Sequence, residues 1–363
     1  MPMYWKLKHA SEADRKRSIA SLQRLRKQLD AEIPPRSLED TLLLATWNIR
    51  DFDSNKFKHG PRLSETYHYL AEIISRFDVV AVQEINDDLR PLERVLEYLG
   101  PWWDYITTDI TAGSGGNNER GTILFDKRKV RFKNVAGEIV LPKKMLIHEE
   151  EQFSRTPYLV SFQSGWFKFS LCTVHLYFGA DSGEKLKRRI AEIERIAGFL
   201  AQRAESDESN LILLGDFNIV SPEHETMRAL MDAGFHVPEE LQHKTNMMGT
   251  KFYDQIAFKL KRNELQLASY PSHASAGVFN YYKSVFTPGD WETYYNLVKD
   301  DPNRDGEKWQ KGKSGVLLDD AGRRKYYTNE WRTWQMSDHL PLWVALKVNF
   351  SDQYLKQLAA ASS

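Results

Sequence analysis

Leu211-Ile212-Leu213-Leu214-Gly215-Asp216-Phe217-Asn218 is the stretch from which the fold is read. Four consecutive apolar residues with no polar alternation describe a strand covered on both faces, as in the core of a layered domain. The chain then breaks at Gly215 and presents Asp216 and Asn218 at the strand mouth. Strand spacing sends these two side chains to one side if the extended conformation persists for one more step. Such a pair suits metal-assisted chemistry on a phosphate. It equally suits an Asx turn that merely ends a strand.

The bulk numbers narrow the field. At 363 residues the chain is long enough for one large catalytic domain with appendages. Fifty basic and fifty acidic residues give a formal charge of zero, so no global field draws the chain to a polyanion or an anionic membrane, and any polyanion site is local. The single cysteine, Cys172, excludes an intramolecular disulfide framework and points to a reducing compartment. The amino terminus has no apolar signal-peptide core, and nowhere do eighteen apolar residues run together. The expectation is a soluble, cytoplasmic protein with no membrane contact and no obligate protein partner.

Around the central stretch the pattern repeats. Residues 1–40 read as an N-terminal helical extension: Ile19, Leu22, Leu25, Leu29 and Ile33 form a helical stripe, Ser11 and Asp14 cap its start, and Pro34-Pro35 stops it. Over residues 1–36 nine basic side chains face four acidic ones, a local excess of about +5, yet packing on the domain or self-association is the preferred use of this helix. The catalytic domain, residues 41–350, opens with Thr41-Leu42-Leu43-Leu44-Ala45-Thr46-Trp47-Asn48-Ile49, a buried-type strand ending in an amide. A helix over about 63–77 leads to Asp78-Val79-Val80-Ala81-Val82-Gln83-Glu84-Ile85, a second such strand with polar groups at its end. Strands over 102–109 and 122–126 flank Gly113-Ser114-Gly115-Gly116-Asn117-Asn118, a mobile loop by composition that lacks the Lys-Ser/Thr of a phosphate-binding loop. A hairpin over 158–174 ends at His175, and a helix follows over about 184–204 with Ile190, Ile193, Ile196, Ala197 and Leu200 turned inward. Beyond a short helix near 223–233, Asp254 sits in an alternating strand, Phe252–Phe258. Residues 262–335 read as an irregular, aromatic-rich insertion. The domain closes with Ser337-Asp338-His339-Leu340-Pro341 before a last strand, and residues 351–363 are a tail.

Any one of these polar strand ends has a bland explanation as a turn former, a surface acid or a hydrogen-bonded core histidine. Six of them in one chain do not. Two sheets packed face to face would gather the ends at one rim and converge amide, carboxylate and imidazole groups on a small volume.

Read in order, Trp47-Asn48-Ile49, Gln83-Glu84, His175, Gly215-Asp216-Phe217-Asn218, Tyr253-Asp254-Gln255-Ile256 and Ser337-Asp338-His339-Leu340-Pro341 resemble the endonuclease/exonuclease/phosphatase superfamily of deoxyribonuclease I-like proteins. The resemblance covers about 41–348. It implies a four-layered α/β sandwich, two mixed β-sheets face to face with helices outside. By the same resemblance Glu84 is the principal Mg²⁺ ligand with Asn48 and Asp338 nearby, and Mn²⁺ is a plausible substitute at such an oxygen-donor site. Asp216 then orients or deprotonates the attacking water, Asn218 positions it or the phosphate, Asp254 fixes the ring of His339, and His175 is the second imidazole on the phosphoryl group.

Arg155-Thr156-Pro157 and Glu119-Arg120-Gly121-Thr122-Ile123-Leu124-Phe125 look like the nuclease branch, with Arg155 and Arg120 as substrate contacts. In the insertion, Arg323, Arg324 and Lys325 beside Tyr326-Tyr327 form a candidate mixed basic and aromatic contact for unpaired bases. Departures from the family pattern touch the substrate side: no cysteine pair, Gln255 where an arginine is frequent, and a long segment between Asp254 and Asp338. The leading reading is a metal-dependent nuclease, with DNA ahead of RNA. The alternatives are a phosphatase or phosphodiesterase on a small or lipid-derived phosphate such as an inositol phosphate or sphingomyelin, and a non-catalytic binding module on the same scaffold.

Overall fold

Alternation along the first strand explains the layering. In β1 (Thr41–Phe52) Leu42 and Leu44 enter the core between two sheets, whereas Leu43, Ala45, Trp47 and Ile49 enter a second core beneath helices. β2 (Val79–Ile85) repeats the division, with Val79 and Ala81 on the first side and Val80 and Val82 on the second. A strand that is apolar on both faces needs a cover on each, and the continuous apolar runs of the sequence meet that requirement.

The computed structural model describes residues 2–53, 61–111, 116–147, 151–206, 209–260, 266–299 and 318–361. One sheet has six strands in the order β10 (Ala276–Val278), β11 (Leu342–Lys347), β1, β2, β4 (Arg120–Asp126) and β3 (Trp103–Thr107). The other has five in the order β5 (Arg131–Glu138), β6 (Tyr158–Ser164), β7 (Phe167–His175), β8 (Leu211–Asp216) and β9 (Asp254–Lys259). Both are mixed: β1 pairs parallel to β2 and β7 parallel to β8, while the remaining neighbours are antiparallel. β1 and β2 pack across β7, β8 and β9. Helices α1 (Glu12–Glu32), α2 (Ser64–Ile74) and α3 (Arg90–Leu99) cover the outer face of the six-stranded sheet, and α4 (Gly183–Ser206) with α5 (Glu225–Asp232) covers that of the five-stranded sheet. This is the four-layered α/β sandwich that the family resemblance implies.

Several expectations change. Residues 262–335 are not irregular where described. They add β10 to the first sheet, then form α6 (Trp291–Lys299), α7 (Asp320–Tyr326), a π-turn at Tyr327–Trp331 and α8 (Arg332–Gln335). Their aromatics are core: Tyr281, Tyr282, Phe286, Trp291, Tyr294, Tyr326, Tyr327 and Trp331 are buried against α1 and α2. Trp309 lies outside the described residues, as do 112–115 of the glycine-rich loop. β9 is buried through Phe258 on both faces instead of alternating, because α5 and the opposite sheet cover it. The sequence reading missed β5, an exposed edge strand with no apolar period, and α3. It also left as a tail the segment that forms α9 (Ser351–Ala361).

Ser11 Oγ accepts from the Asp14 amide at 3.1 Å and caps α1, as its position predicts. Leu22, Leu25, Leu29 and Ile33 are buried against the domain, while Ile19 faces solvent. Fully burying four such side chains contributes on the order of 6–12 kcal/mol as an upper bound. Arg17–Glu65 and the bidentate Arg24–Asp290 pair add polar attachment, so α1 is fastened both to α2 and to the segment leading into α6.

Candidate active site

Register brings three of the expected groups side by side. His175 on β7 is the parallel partner of Asp216 on β8, and Asp216 is the antiparallel partner of Asp254 on β9. Partnered residues on neighbouring strands point to the same face, so imidazole and two carboxylates form one row across the five-stranded sheet. Such a close approach of β7 and β8 needs Gly215: its φ is +134°, and a Cβ there would stand 2.0 Å from the Val174 carbonyl oxygen.

Opposite this row, β1 delivers Asn48. Following Leu42, Leu44 and Thr46, it lies on the face between the sheets, and its Nδ2 donates to Asp216 Oδ2 at 3.1 Å and to Glu84 Oε1 at 2.9 Å. Strict alternation along β2 would turn Glu84 outward, since Gln83 already points inward to Thr46 and Thr173. A bulge corrects this: the register slips between Val82 and Ile85, and Glu84 adopts φ +64°. Its second oxygen accepts from the Asp51 amide at 2.7 Å, and Asp51 too is left-handed at φ +45°. Non-glycine residues in this region cost energy that the surrounding contacts must offset, and here they aim a carboxylate into the site.

Two histidines are each backed by an acid. His339 Nδ1 is 2.8 Å from Asp254 Oδ2, and its Nε2 is 3.8 Å from Asp216 Oδ2. His175 Nε2 is 3.7 Å from Asp216 Oδ2 and 4.0 Å from Glu84 Oε1; its Nδ1 approaches Glu119 Oε2 at 2.9 Å, off the axis of a straight hydrogen bond. Burial opposes charge on His339, but Asp254 and then Asp216 outweigh it and hold the ring's proton well above the usual imidazole range. Burial likewise opposes charge on Asp216, and His339, His175, the Asn218 amide and Asn48 together hold that carboxyl below its usual range. Glu119 is held down at about 2 because His175 and Arg155 overcome its burial.

The turn Ser337-Asp338-His339 is tied to the end of β1. Ser337 Oγ donates to the Asn48 carbonyl at 2.7 Å and accepts from the amides of Arg50 at 3.1 Å and His339 at 3.0 Å. From below, Tyr281 donates to the carbonyl oxygens of Ser337 and His339, both at 2.8 Å. The 262–335 segment therefore supports the turn that carries His339.

Asn218 does not continue the strand. It is left-handed at φ +54°, its amide donates to Asp216 Oδ1 at 2.9 Å in an Asx turn, and its Nδ2 donates to the Leu176 carbonyl at 3.0 Å. The turn reading and the site reading coincide, because the turn is what aligns Asp216. Beneath it Arg189, wholly buried, donates to the carbonyls of Asn218, Phe178 and Ala180.

The expected substrate arginines are engaged within the protein. Arg155 Nε donates to Glu119 Oε2 at 2.7 Å, so it reaches the site through Glu119 and His175; Arg120 donates to the Thr108 carbonyl at 2.7 Å. Arg323, Arg324 and Lys325 lie on α7, but Tyr326 and Tyr327 are buried, so the stacking faces expected beside those cations are used up in the core. Glu119, Ser337, Arg189 and Tyr281 stand in stretches read from the sequence, but none was given the role of holding a site residue that the structure shows for it. Arg189 left a signal in its spacing: with Leu186, Ile193, Ile196, Ala197 and Leu200 it completes the buried stripe of α4, against which Ile190 is partly buried.

Among the described residues, the one cluster of three or more acids, histidines or cysteines close enough to share an ion is Asp216, Asp254 and His339. Within it Asp254 Oδ2 is engaged by His339 Nδ1 at 2.8 Å, while Asp254 Oδ1 is buried with no hydrogen-bond partner. A second set of oxygen donors that could hold a cation is Glu84 and Asn48, with Asp338 the third residue expected from the sequence. Asn48 Oδ1 is buried and has no hydrogen-bond partner, and Asp338, partly exposed, lies in the turn whose Ser337 is bonded to the Asn48 carbonyl. An orphaned amide oxygen flanked by a carboxylate is the donor chemistry a hard divalent cation takes.

The family model of the endonuclease/exonuclease/phosphatase family matches residues 45–339, which spans all six strand-end motifs. The chain belongs to that family. Bovine (Bos taurus) deoxyribonuclease-1 is 26% identical over 184 residues, covering 49% of this chain and 61% of that protein. The chain thus matches somewhat under two thirds of that relative's length. Among solved structures, a member of the same family from Bacteroides thetaiotaomicron superposes with a TM-score of 0.54 at 16% identity, covering 86% of this chain and 99% of the other. The mannosyl-6-phosphatase Bt3783 of the same organism gives 0.53 at 16%, covering 84% and 99%. The human Nocturnin catalytic domain with bound sulfate gives 0.50 at 15%, covering 84% and 94%. At these identities the structural likenesses establish the fold alone. Among the described residues no helix is long and apolar enough to cross a membrane.

Proposed function

We propose that this family member is a Mg²⁺-dependent phosphodiesterase that hydrolyses nucleic acid, with DNA ahead of RNA. The observation that carries the reading is the convergence of two acid-backed histidines on Asp216, opposite an amide oxygen and carboxylate suited to a cation. The partial identity to a deoxyribonuclease supports the nucleic-acid substrate.

Glu84, Asn48 and Asp338 would hold the ion, which supplies charge neutralisation at a phosphoryl or leaving-group oxygen. Asp216, a buried carboxylate held ionised, accepts a proton from the attacking water and orients it. His339, charged and fixed by Asp254, donates hydrogen bonds to a phosphoryl oxygen from Nε2, the ring nitrogen facing Asp216. His175 contacts the same group from the opposite strand with its ring anchored at Glu119. Each preorganised donor on a developing oxyanion contributes about 3–4 kcal/mol of transition-state stabilisation. Incubating the protein with plasmid, single-stranded DNA, RNA and a soluble inositol phosphate, each with Mg²⁺ or EDTA, tests the reading. Cleavage confined to the inositol phosphate would overturn the substrate assignment, and cleavage in EDTA would overturn the metal.

A further inference from the structure

The loop that leaves β7 just past His175 carries a large apolar side chain into solvent. Phe178 is 55% exposed, yet the backbone beneath it is tied down by side-chain hydrogen bonds. Its carbonyl accepts two hydrogen bonds from the buried Arg189 guanidinium, at 3.0 Å and 2.6 Å. The preceding Tyr177 amide donates to the buried Glu192 at 2.9 Å, and Asp181, which follows, pairs with both Arg189 and Lys251. Arg189 also holds the Asn218 carbonyl, so one buried cation positions the site's Asx turn and this loop together. A freely moving loop would not need such an anchor; a loop that must present one ring in one place does.

That ring continues an aromatic series from the catalytic centre. Tyr253, the residue before Asp254, stacks on His339 with centroids 5.6 Å apart and planes at 27°, and Phe178 meets Tyr253 edge-on at 6.2 Å and 84°. His339, Tyr253 and Phe178 therefore form a step that climbs from the phosphate-facing imidazole to open solvent. The half-buried Tyr253 at its edge and the buried Arg189 guanidinium, 5.8 Å from its centroid, support Phe178, which still stands 55% exposed.

We infer that Phe178, buttressed by Tyr253, is a stacking platform for the nucleobase flanking the scissile phosphate, so that the enzyme favours strands whose bases are unpaired at the cut. This rests on the nucleic-acid reading above. The platform's chemistry is that of a planar, sequence-tolerant contact: any base offers a π-face, and an aromatic ring takes it without hydrogen-bond readout. Duplex DNA, whose bases are already stacked within the helix, cannot use it without fraying.

The test compares thymidine 5′-(p-nitrophenyl phosphate) with methyl p-nitrophenyl phosphate, which has no base, for the wild type and for Phe178→Ala, Phe178→Leu and Phe178→Trp, all with Mg²⁺. A parallel assay follows cleavage of single-stranded and duplex oligonucleotides of one sequence. Stacking worth about 1–3 kcal/mol corresponds to a fall of roughly 5- to 150-fold in the ratio of kcat/KM values, nucleoside ester over base-free ester, carried by KM. Phe178→Ala and the non-planar Phe178→Leu should both show it, and Phe178→Trp should restore the ratio; the single-strand preference should shrink in step. An unchanged ratio in Phe178→Ala, with oligonucleotides still cut, overturns the platform and leaves the nuclease reading intact. No oligonucleotide cleavage by the wild type overturns both.

Discussion

Asn48 donates through one nitrogen to carboxylates on both sheets, Glu84 at 2.9 Å and Asp216 at 3.1 Å. A single amide thus joins Glu84, the proposed cation ligand, to Asp216, the proposed water-activating acid, while its own oxygen has no hydrogen-bond partner. Removing it would separate two functions of the site at once.

Glu84→Ala should abolish hydrolysis at ordinary Mg²⁺ concentration, a loss of several kcal/mol or about a thousandfold in kcat/KM. Asn48→Ala should lose less and be partly rescued by raised Mg²⁺ or Mn²⁺, because one of several donors is gone while the carboxylate remains. Metal titrations of activity and of thermal stability check both. Undiminished turnover of Glu84→Ala in EDTA would remove the metal from the mechanism.

The placement of these residues shows what could be read in the sequence and what could not. The central strands of both sheets were legible because they are continuous apolar runs, whereas the edge strands β5 and β10, which are not, escaped notice. The polar strand ends were legible for the same reason, since Asn48, Glu84 and Asp216 each interrupt such a run. The row formed by His175, Asp216 and Asp254 was not, because it depends on pairing register between strands far apart in the chain. Nor was the inward turn of Glu84, which follows from a bulge that no residue type announces. The aromatics of the insertion were visible, but not their partners. Burial beneath α1 and α2 turned them from candidate stacking faces into core, and made Tyr281 a support for the turn that carries His339.

His339 and Asp254 should behave as one unit. Each alanine variant should lose about 10²- to 10⁴-fold in kcat, the range for removing a positioned acid or base. The double variant should lose little beyond the worse single one, because Asp254 acts only through the ring it holds at 2.8 Å. Steady-state kinetics of the three variants decide the matter, and fully additive losses would refute the pairing.

Glu119 should act through His175 in the same way. Glu119→Gln keeps the shape but gives up the charge that balances Arg155, so kcat should fall at least about tenfold. Arg155→Met should reproduce part of that loss, and it should do so equally on long nucleic acid and on a small phosphodiester. A loss confined to long substrates would instead make Arg155 a direct backbone contact.

His68 predicts an acid sensitivity unrelated to catalysis. Its ring stacks on Tyr98 at 4.1 Å and 5°, its Nδ1 has no hydrogen-bond partner, and burial, with Arg94 and Lys6 nearby, pushes its pKa down to about 4. The folded state therefore holds the ring neutral where the unfolded chain, with a pKa near 6.5, binds a proton. The contribution is fully present above about pH 6.5 and is lost as pH falls toward 4, by at most about 3 kcal/mol. Denaturation midpoints at pH 7 and pH 5 should fall less steeply for His68→Phe than for the wild type; parallel slopes would refute the assignment.

The last prediction separates two glycines. At Gly215 a methyl group would stand 2.0 Å from the Val174 carbonyl oxygen and 2.9 Å from its nitrogen, on a backbone at φ +134° that side chains rarely adopt. Backbone cannot step aside as a flexible side chain can, so Gly215→Ala must either push β7 away from β8 or break their register. Either outcome should cost several kcal/mol and displace His175 from Asp216, which are partners one step along. Gly198 sits within α4 with nothing within 4 Å of an added Cβ, so Gly198→Ala should stabilise the protein by up to about 1 kcal/mol through helix propensity alone. Thermal melts rank the two variants, and activity measured well below both transitions tests the site: Gly215→Ala should be impaired even where fully folded, while Gly198→Ala should match the wild type. Full activity in folded Gly215→Ala would show that the close approach of β7 and β8 is not what aligns His175 with Asp216.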